Sequence, residues 1–446
     1  MQKNAMQDKV RTTIEITLLI SMSYVVRNLY FMLQGFNYHS HDGVPYYYGS
    51  DPLYYGRLLE AVVPTGRFLI IFSHLLLVIS FIVVLYFVIK KLQPKYVFYL
   101  VSIIVLCKEF LEQTLFGYVD TNILILYFVL FFSTILFLKG KKNSIVGGIG
   151  CLLLSIVLIN IGWTGFPVFL ILLSIPYGLY ILLVVRKPLF LLFLIPGVTL
   201  LGIFFKITKL TNILEVLPII SEYAKLPSII YVLIFLSYCF FVYKLRKFTL
   251  SFFYAAFFLV ASLAMHRLAI FALIFVLFDV AINLKTKEKL DFYFAMFGIM
   301  VLISLFFHSF PYLYNDSYHE LSSLLDEDKP VYCLWDNGYS LQYNSQYPDQ
   351  VKYRAGYKRE DVWFFTTIMT HDQNTVIRHM PDEDYYIFYR TRDKILLLTT
   401  YAYLFENVEN NSLISTEPDP SIWIINYIKH REEEYYLLEP KNGTIG

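Results

Sequence analysis

Asp51-Pro52-Leu53-Tyr54-Tyr55-Gly56-Arg57 is a short polar island between two long apolar runs, one near 11–33 and the next near 68–89. A carboxylate this close to a membrane boundary is costly unless it pairs or binds a cation. Pro52 fixes the local backbone, and the tyrosines after it suit a membrane interface. Outward from this island the chain repeats one pattern as far as about residue 310: runs of roughly 17–22 apolar residues, each long enough to cross a bilayer core. From there to 446 the chain is far more polar.

Composition agrees. Hydrophobic residues make up 57% of the 446 and charged residues 16%, against roughly 45–50% and 25% in ordinary soluble domains. The expectation is a polytopic α-helical membrane protein with a C-terminal α/β soluble domain, divided into 1–310 and 311–446. The net charge of +2 carries no sign of nucleic acid, because the basic residues sit in short loops between spans. Cys107, Cys151 and Cys239 fall in apolar runs and leave Cys333 alone in the tail, so no disulfide within the tail is expected. The first apolar run lacks a cleavage signature and reads as a retained span.

Spans are expected near 11–33, 68–89, 96–116, 121–138, 144–162, 165–185, 188–205, 228–243, 249–265, 267–284 and 291–309. Lys90-Lys91, Lys139 to Lys142, Arg186-Lys187, Lys244 to Lys247 and Lys285 to Lys287 then share one side with Lys3, Lys9 and Arg11. The positive-inside rule makes that side the cytoplasm. An odd number of spans, about eleven, sends the tail to the exterior, together with Asp51, Arg57, Asp120, Trp163, Glu215, Glu222 and His266-Arg267. In the tail, Asp316–Lys329 reads as a helical link and Val331–Tyr339 as a strand into a turn at Asn337-Gly338. Asp384–Arg390 alternates aromatic and polar residues, and Ile422–Ile428 and Tyr435–Leu438 read as late strands. Trp363–Met369 is apolar, and Lys394–Phe405 is an apolar helix or strand that periodicity leaves open.

Four exterior stretches carry candidate chemistry. Asp51 stands in the first loop. Asp120, in Gly117-Tyr118-Val119-Asp120-Thr121-Asn122, sits where one span ends and the next begins. Its carboxylate suits both an N-cap and a metal ligand, and the stretch alone does not separate them. The loop near 206–227 offers Glu215 and Glu222, and loops of that length are often functional. Arg267 opens an apolar run, where a guanidinium serves a phosphate or snorkels to the interface. Three exterior carboxylates with one exterior arginine fit a hard divalent cation, Mg²⁺ or Mn²⁺.

Together these stretches resemble the catalytic subunits of membrane oligosaccharyltransferases, above all the bacterial single-subunit PglB type, along the whole chain and with a shortened tail. D-P-L-Y-Y-G-R at 51–57 resembles the Asp motif of the first external loop. G-Y-V-D-T-N at 117–122 is similar to the second acidic motif, and W-T-G at 163–165 to a turn between spans. N-I-L-E-V at 212–216 resembles the T-I-x-E motif, with Glu215 its acid and Glu222 the fallback. Leu334-Trp335-Asp336-Asn337-Gly338 resembles the W-W-D-Y-G signature, and Arg267 matches the arginine on the lipid pyrophosphate. Four positions depart from the family: Asn122 replaces a second acid, Leu334 a Trp, Asn337 a Tyr, and Asp393 a Met.

The resemblance implies a GT-C-type membrane fold of about 11–13 spans in the inner membrane, with active site and tail on the periplasmic or other extracytoplasmic face. It implies metal-dependent, inverting transfer of an oligosaccharide en bloc from a polyprenyl-pyrophosphate donor to asparagine in Asn-x-Ser/Thr of an acceptor protein. Asp51 and Glu215 would act on the acceptor amide, Asp51, Asp120 and Asn122 on Mn²⁺ or Mg²⁺, Arg267 on the pyrophosphate, and Trp335 and Asp336 on the acceptor's hydroxyl residue. Two alternatives remain: a related polyprenyl-linked sugar transferase with another acceptor, and a silent member that presents glycan or partner proteins. A transporter fits less well, because the span centres are read as uncharged and no paired broken helices stand out. Asn315-Asp316-Ser317, Asn410-Asn411-Ser412 and Asn442-Gly443-Thr444 are themselves acceptor-like triplets.

Overall fold

The structure is a computed structural model, and it describes residues 2–33, 40–41, 44–45, 67–107, 110–111, 114, 122–160, 166–185, 238, 248–264, 268–283, 316–334, 337, 341, 345–346, 351, 353–355, 385–390, 423–430 and 433–441. The described elements are mostly helical, with a small sheet near the C-terminus. The chain divides into two units, Met1–Tyr46 with Thr65–Thr208 and Ala224–Phe310, and Tyr47–Pro64 with Lys209–Tyr223 and Pro311–Gly446.

The first unit opens with α1, Gln2–Leu33, and a two-strand ladder of β1, Ser40–His41, against β2, Val44–Pro45. Then come α2, Arg67–Leu92; α3, Val97–Leu106; α4, Asn122–Phe137; and α5, Lys141–Asn160. They are followed by α6, Phe166–Tyr180, with a π turn at Ile181–Val185, and by α7, Leu250–Ala264, and α8, Ala269–Asn283. These helices lie in the stretches expected near 11–33, 68–89, 96–116, 121–138, 144–162, 165–185, 249–265 and 267–284, though several are shorter than a span, α3 being 10 residues long. The spans near 188–205, 228–243 (apart from Tyr238) and 291–309 lie outside the described residues.

Local chemistry sets several helix ends. Lys90 and Lys91 occupy the last turn of α2, where cations offset the helix dipole, and Pro94 follows directly. Thr249 caps α7: its Oγ1 accepts the Phe252 N–H at 3.2 Å. Pro176 sits inside α6, where it lacks the N–H that would bond back one turn, and the π turn begins five residues later.

Two described helices, Leu69–Leu92 and Lys141–Asn160, are long and apolar enough to cross a bilayer. The second of them, α5, turns Ile145, Val146, Ile149, Leu152, Leu153, Ile156 and Ile159 outward, all exposed. Its inner face carries glycine where α4 comes close. A Cβ on Gly147 would stand 2.8 Å from the Phe131 carbonyl oxygen, and one on Gly150 2.6 Å from the Phe131 ring. Gly140, at φ 114°, makes the turn between the two helices in a backbone region that favours glycine. At the centre α8 is buried almost all round and touches α2, α3, α4 and α7, the pattern of a helix with no polar face to turn outward.

In the second unit, α9 (Asp316–Ser322) precedes β3 (Val331–Leu334), β4 (Tyr353–Ala355), β5 (Tyr386–Arg390), β6 (Trp423–His430) and β7 (Glu433–Pro440). The helical link is therefore shorter than the Asp316–Lys329 expected, and the first strand ends at Leu334. The late strands fall on the stretches expected, Ile422–Ile428 and Tyr435–Leu438, and run longer. Trp363–Met369 and Lys394–Phe405 lie outside the described residues. The sheet order is β4-β3-β5-β7-β6, with β3 parallel to β4 and β5, and β7 antiparallel to β5 and β6. The register puts Val331, Cys333, Tyr386, Phe388, Tyr435 and Leu437 on one face, packed with Tyr318, Leu321 and Leu325. The other face carries Ile387 and Leu438, also buried, and a ring stack of Tyr389 on Tyr436.

Gly147→Leu should separate α4 from α5, because the new side chain meets backbone that cannot yield. The expected loss is about 1–3 kcal/mol, the usual scale for overpacking, read as a lowered melting temperature of the detergent-solubilised chain. Gly148→Leu, where a Cβ meets nothing within 4 Å, should change it little.

Candidate functional site

Asp51, Asp120, Glu215, Glu222, Arg267, Trp335 and Asp336 all lie outside the described residues. Asn122 is described: it is the first residue of α4 and is buried. With the two Asp carboxylates that the resemblance puts beside it, its amide oxygen would make an all-oxygen donor set, the kind that suits Mg²⁺ or Mn²⁺. Among the described residues no group of three or more His, Cys, Asp or Glu is arranged to hold a metal ion.

Around the Leu334–Gly338 stretch the topology is informative. β3 lies between its two parallel partners, so the chain leaves it toward β4 on one side and returns to β5 on the other. The C-terminal ends of β3 and β5 therefore form a switch point, the place where open parallel sheets bind ligands. Leu334 ends β3 there, and Trp335-Asp336 follow in sequence. Asn337 is fully buried, and its Oδ1 accepts the Tyr318 hydroxyl of α9 at 2.8 Å. The Tyr318 ring packs in turn on Phe388 of β5 and Tyr435 of β7, at 5.5 and 5.6 Å between centroids. Asn337 thus turns inward, as a tie between α9 and the sheet's corner.

Two charges in the helical unit correct the expectation of uncharged span centres. Asp279 on α8 is 1% exposed and accepts four side-chain donors. Thr249, Ser251 and Asn283 donate to Oδ1 at 3.0, 2.6 and 3.0 Å, and the Tyr238 hydroxyl to Oδ2 at 2.8 Å. Because every neighbour donates, the arrangement suits a buried carboxylate that joins the N-terminus of α7 to the C-terminal turn of α8. Arg27 on α1 is equally buried, bonded to Ser23 and Thr114, with the Phe110 ring 5.4 Å away. Near it, buried His74 has an Nε2 that meets no hydrogen-bond partner among the described residues. Each stood in the sequence as a single charged or basic letter inside an apolar run, a signal that counting loop charges passes over.

In the tail, Lys329 Nζ donates to Glu439 at 2.5 Å, lies 3.4 Å from Asp326, and stands over the Tyr386 ring. Glu439 above all holds the Lys329 ammonium above its ordinary range. Burial first, and the 2.9 Å hydrogen bond to Asp326 second, push the Tyr386 phenol up to about 12.

No family model matches the chain, and no curated protein matches it either.

Two outcomes follow from these contacts. Asp279→Ala removes the acceptor that four donors share; with each stranded donor worth about 1–3 kcal/mol, the melting temperature should fall sharply. Asp279→Asn, which keeps one carbonyl oxygen, should fall less. In the tail, both raised groups favour the protonated state of the folded protein. Their stabilisation is present below the ordinary Tyr and Lys values, about 10 and 10.4, and is lost as pH rises through the folded values. Near-UV circular dichroism should show the aromatic sheet loosening above about pH 10, and Tyr386→Phe should flatten that alkaline slope.

Proposed function

We propose that the chain is a multi-pass inner-membrane oligosaccharyltransferase of GT-C type, with about eleven spans and its active site and tail outside the cytoplasm. It would move an oligosaccharide from a polyprenyl pyrophosphate to asparagine of an acceptor protein. What carries the reading is the position of Leu334-Trp335-Asp336-Asn337-Gly338, which runs off the C-terminal end of β3 at the sheet's switch point, together with the acidic stretches at 51–57, 117–122 and 212–216. The apolar outward face of α5 supports the membrane part.

The chemical difficulty is the nucleophile. An amide nitrogen's lone pair is delocalised, and breaking that conjugation in a peptide amide costs about 18–20 kcal/mol. The Asp51 and Glu215 carboxylates would each accept one N–H of the acceptor amide and favour a twisted geometry. The freed lone pair attacks the anomeric carbon from the side opposite the pyrophosphate, the C–O bond to the pyrophosphate breaks, and the anomeric centre inverts. A carboxylate takes the proton that the nitrogen loses. Arg267 would pair with the departing pyrophosphate through its planar fork. Trp335 and Asp336 would hold the hydroxyl residue two positions after the acceptor. Asp51, Asp120 and Asn122 would hold a divalent cation, which when bound offsets charge on the leaving group.

A second reading, transfer to an acceptor other than asparagine, is favoured by one observation: Asn337 is buried against Tyr318. The stretch therefore offers an acceptor fewer groups than W-W-D-Y-G does.

The test is reconstitution of the full chain in lipid vesicles with labelled lipid-linked oligosaccharide and peptides bearing Asn or Gln. The Asn peptide should be glycosylated and the Gln peptide not. Asp51→Ala should lower transfer by at least about a hundredfold, the scale of a lost catalytic carboxylate, with the melting temperature kept. Asp120→Ala should raise the Mn²⁺ concentration needed. Equal labelling of neither peptide, with sugar reaching a lipid or hydroxyl acceptor, would favour the second reading.

A further inference from the structure

Two groups of cations stand at the basic end of the helical unit, and they are answered differently. Beside α1 the answer is internal: Lys90 Nζ lies 2.9 Å from Asp8, and Arg11 Nε lies 2.7 Å from Glu15. The other group is Lys91, at the end of α2, with Lys139, Lys141 and Lys142 at the turn from α4 into α5, all four exposed. Neither 67–107 nor 122–160 contains an Asp or a Glu, so the stretches that hold these lysines bring no counter-charge of their own.

Asn143 draws the four together. Its Oδ1 accepts Lys91 Nζ at 3.0 Å, and its Nδ2 donates to the Lys139 carbonyl at 2.8 Å. A neutral amide thus orients the Lys91 ammonium without cancelling its charge. Gly140, at φ 114°, reverses the chain, and the Asn143 and Ser144 N–H groups both donate to its carbonyl, at 3.0 and 3.3 Å. The three lysines of the turn are held in one tight loop beside Lys91.

Below the lysines α5 turns an apolar face outward. Ile145, Val146, Ile149, Leu152 and Leu153 are 50%, 52%, 55%, 62% and 58% exposed. At 1.5 Å per residue, Lys142 to Leu153 spans about 16 Å of helix, close to the roughly 15 Å that one leaflet contributes to a bilayer's hydrocarbon core. A ligand that fits both parts has an anionic head and long apolar chains, which no soluble anion has.

We propose that Lys91, Lys139, Lys141 and Lys142 form a binding site for an anionic phospholipid, with its phosphodiester among the four ammonium groups and its acyl chains along α5. This rests on the membrane part of the proposed function and not on the oligosaccharyltransferase reaction. Recognition is by charge, so arginine at these positions serves as well and glutamine does not.

The experiment reconstitutes the full chain in phosphatidylcholine vesicles with spin-labelled phosphatidylglycerol or spin-labelled phosphatidylcholine of the same acyl chains. Electron paramagnetic resonance reads the fraction of each label slowed by the protein. Wild type should favour phosphatidylglycerol by about fivefold or more at low salt, the scale of one lysine at an anionic surface, and the preference should shrink at high salt. Changing all four lysines to Gln should bring the two labels to near equality with the melting temperature kept; changing all four to Arg should retain the preference. Lys90→Gln removes a charge that Asp8 already answers and should leave the preference near wild type. A preference that survives the fourfold Gln variant overturns the lipid site. So does its loss to inorganic phosphate or polyglutamate at matched ionic strength, which would make a soluble anion or an acidic polypeptide the occupant. Equal slowing of both labels by a wild-type chain that floats with the vesicles overturns the site alone. A chain that floats with vesicles of no composition overturns the membrane reading and the site together.

Discussion

Polar side chains buried inside an apolar helical unit must find their partners within the protein, because burial strips them of water. Most of the first unit's architecture follows from that constraint. Asp279 is tolerable on the buried helix α8 because four donors from the chain around α7 and α8 converge on it. Arg27 is tolerable because its donors end on two carbonyls and two hydroxyls. Each therefore acts as a bolt between elements distant in sequence. Glycines do the complementary work between α4 and α5, where Gly147 and Gly150 let the two helices approach closely.

The second unit is organised by its sheet. Period-two alternation sends Val331, Cys333, Tyr386, Phe388, Tyr435 and Leu437 to one face and lets α9 cover it. Because β3 has parallel neighbours on both sides, its C-terminal end stands at the sheet's switch point. The most specific stretch in the tail lies at that end. The Tyr318–Asn337 bond ties α9 to this corner of the tail.

Much of this was legible in the sequence, for physical reasons that differ by element. Eight apolar runs announced their helices, because membrane-length hydrophobicity needs no knowledge of neighbours. The strands at 386–390, 423–430 and 433–440 showed themselves as short runs rich in aromatic and branched residues. Arg27 and Asp279 did not, because whether a charged letter in an apolar run faces solvent or bolts two helices depends on contacts 28 to 87 residues away. Asn337 was misleading for a related reason. Asn-Gly is a strong turn signal, but what decides its side chain's role is Tyr318, nineteen residues earlier. Of the candidate site only Asn122 lies within the described residues. The acid motifs rest on resemblance, and the sheet's switch point on topology that no local pattern encodes.

The central claim is that this chain places glycans on asparagine outside the cytoplasm. Mass spectrometry of exported proteins from cells with and without it tests that most directly. The account predicts Asn-linked glycan within Asn-x-Ser/Thr that disappears when the chain is removed. An identical set of glycosylated asparagines in both would contradict it.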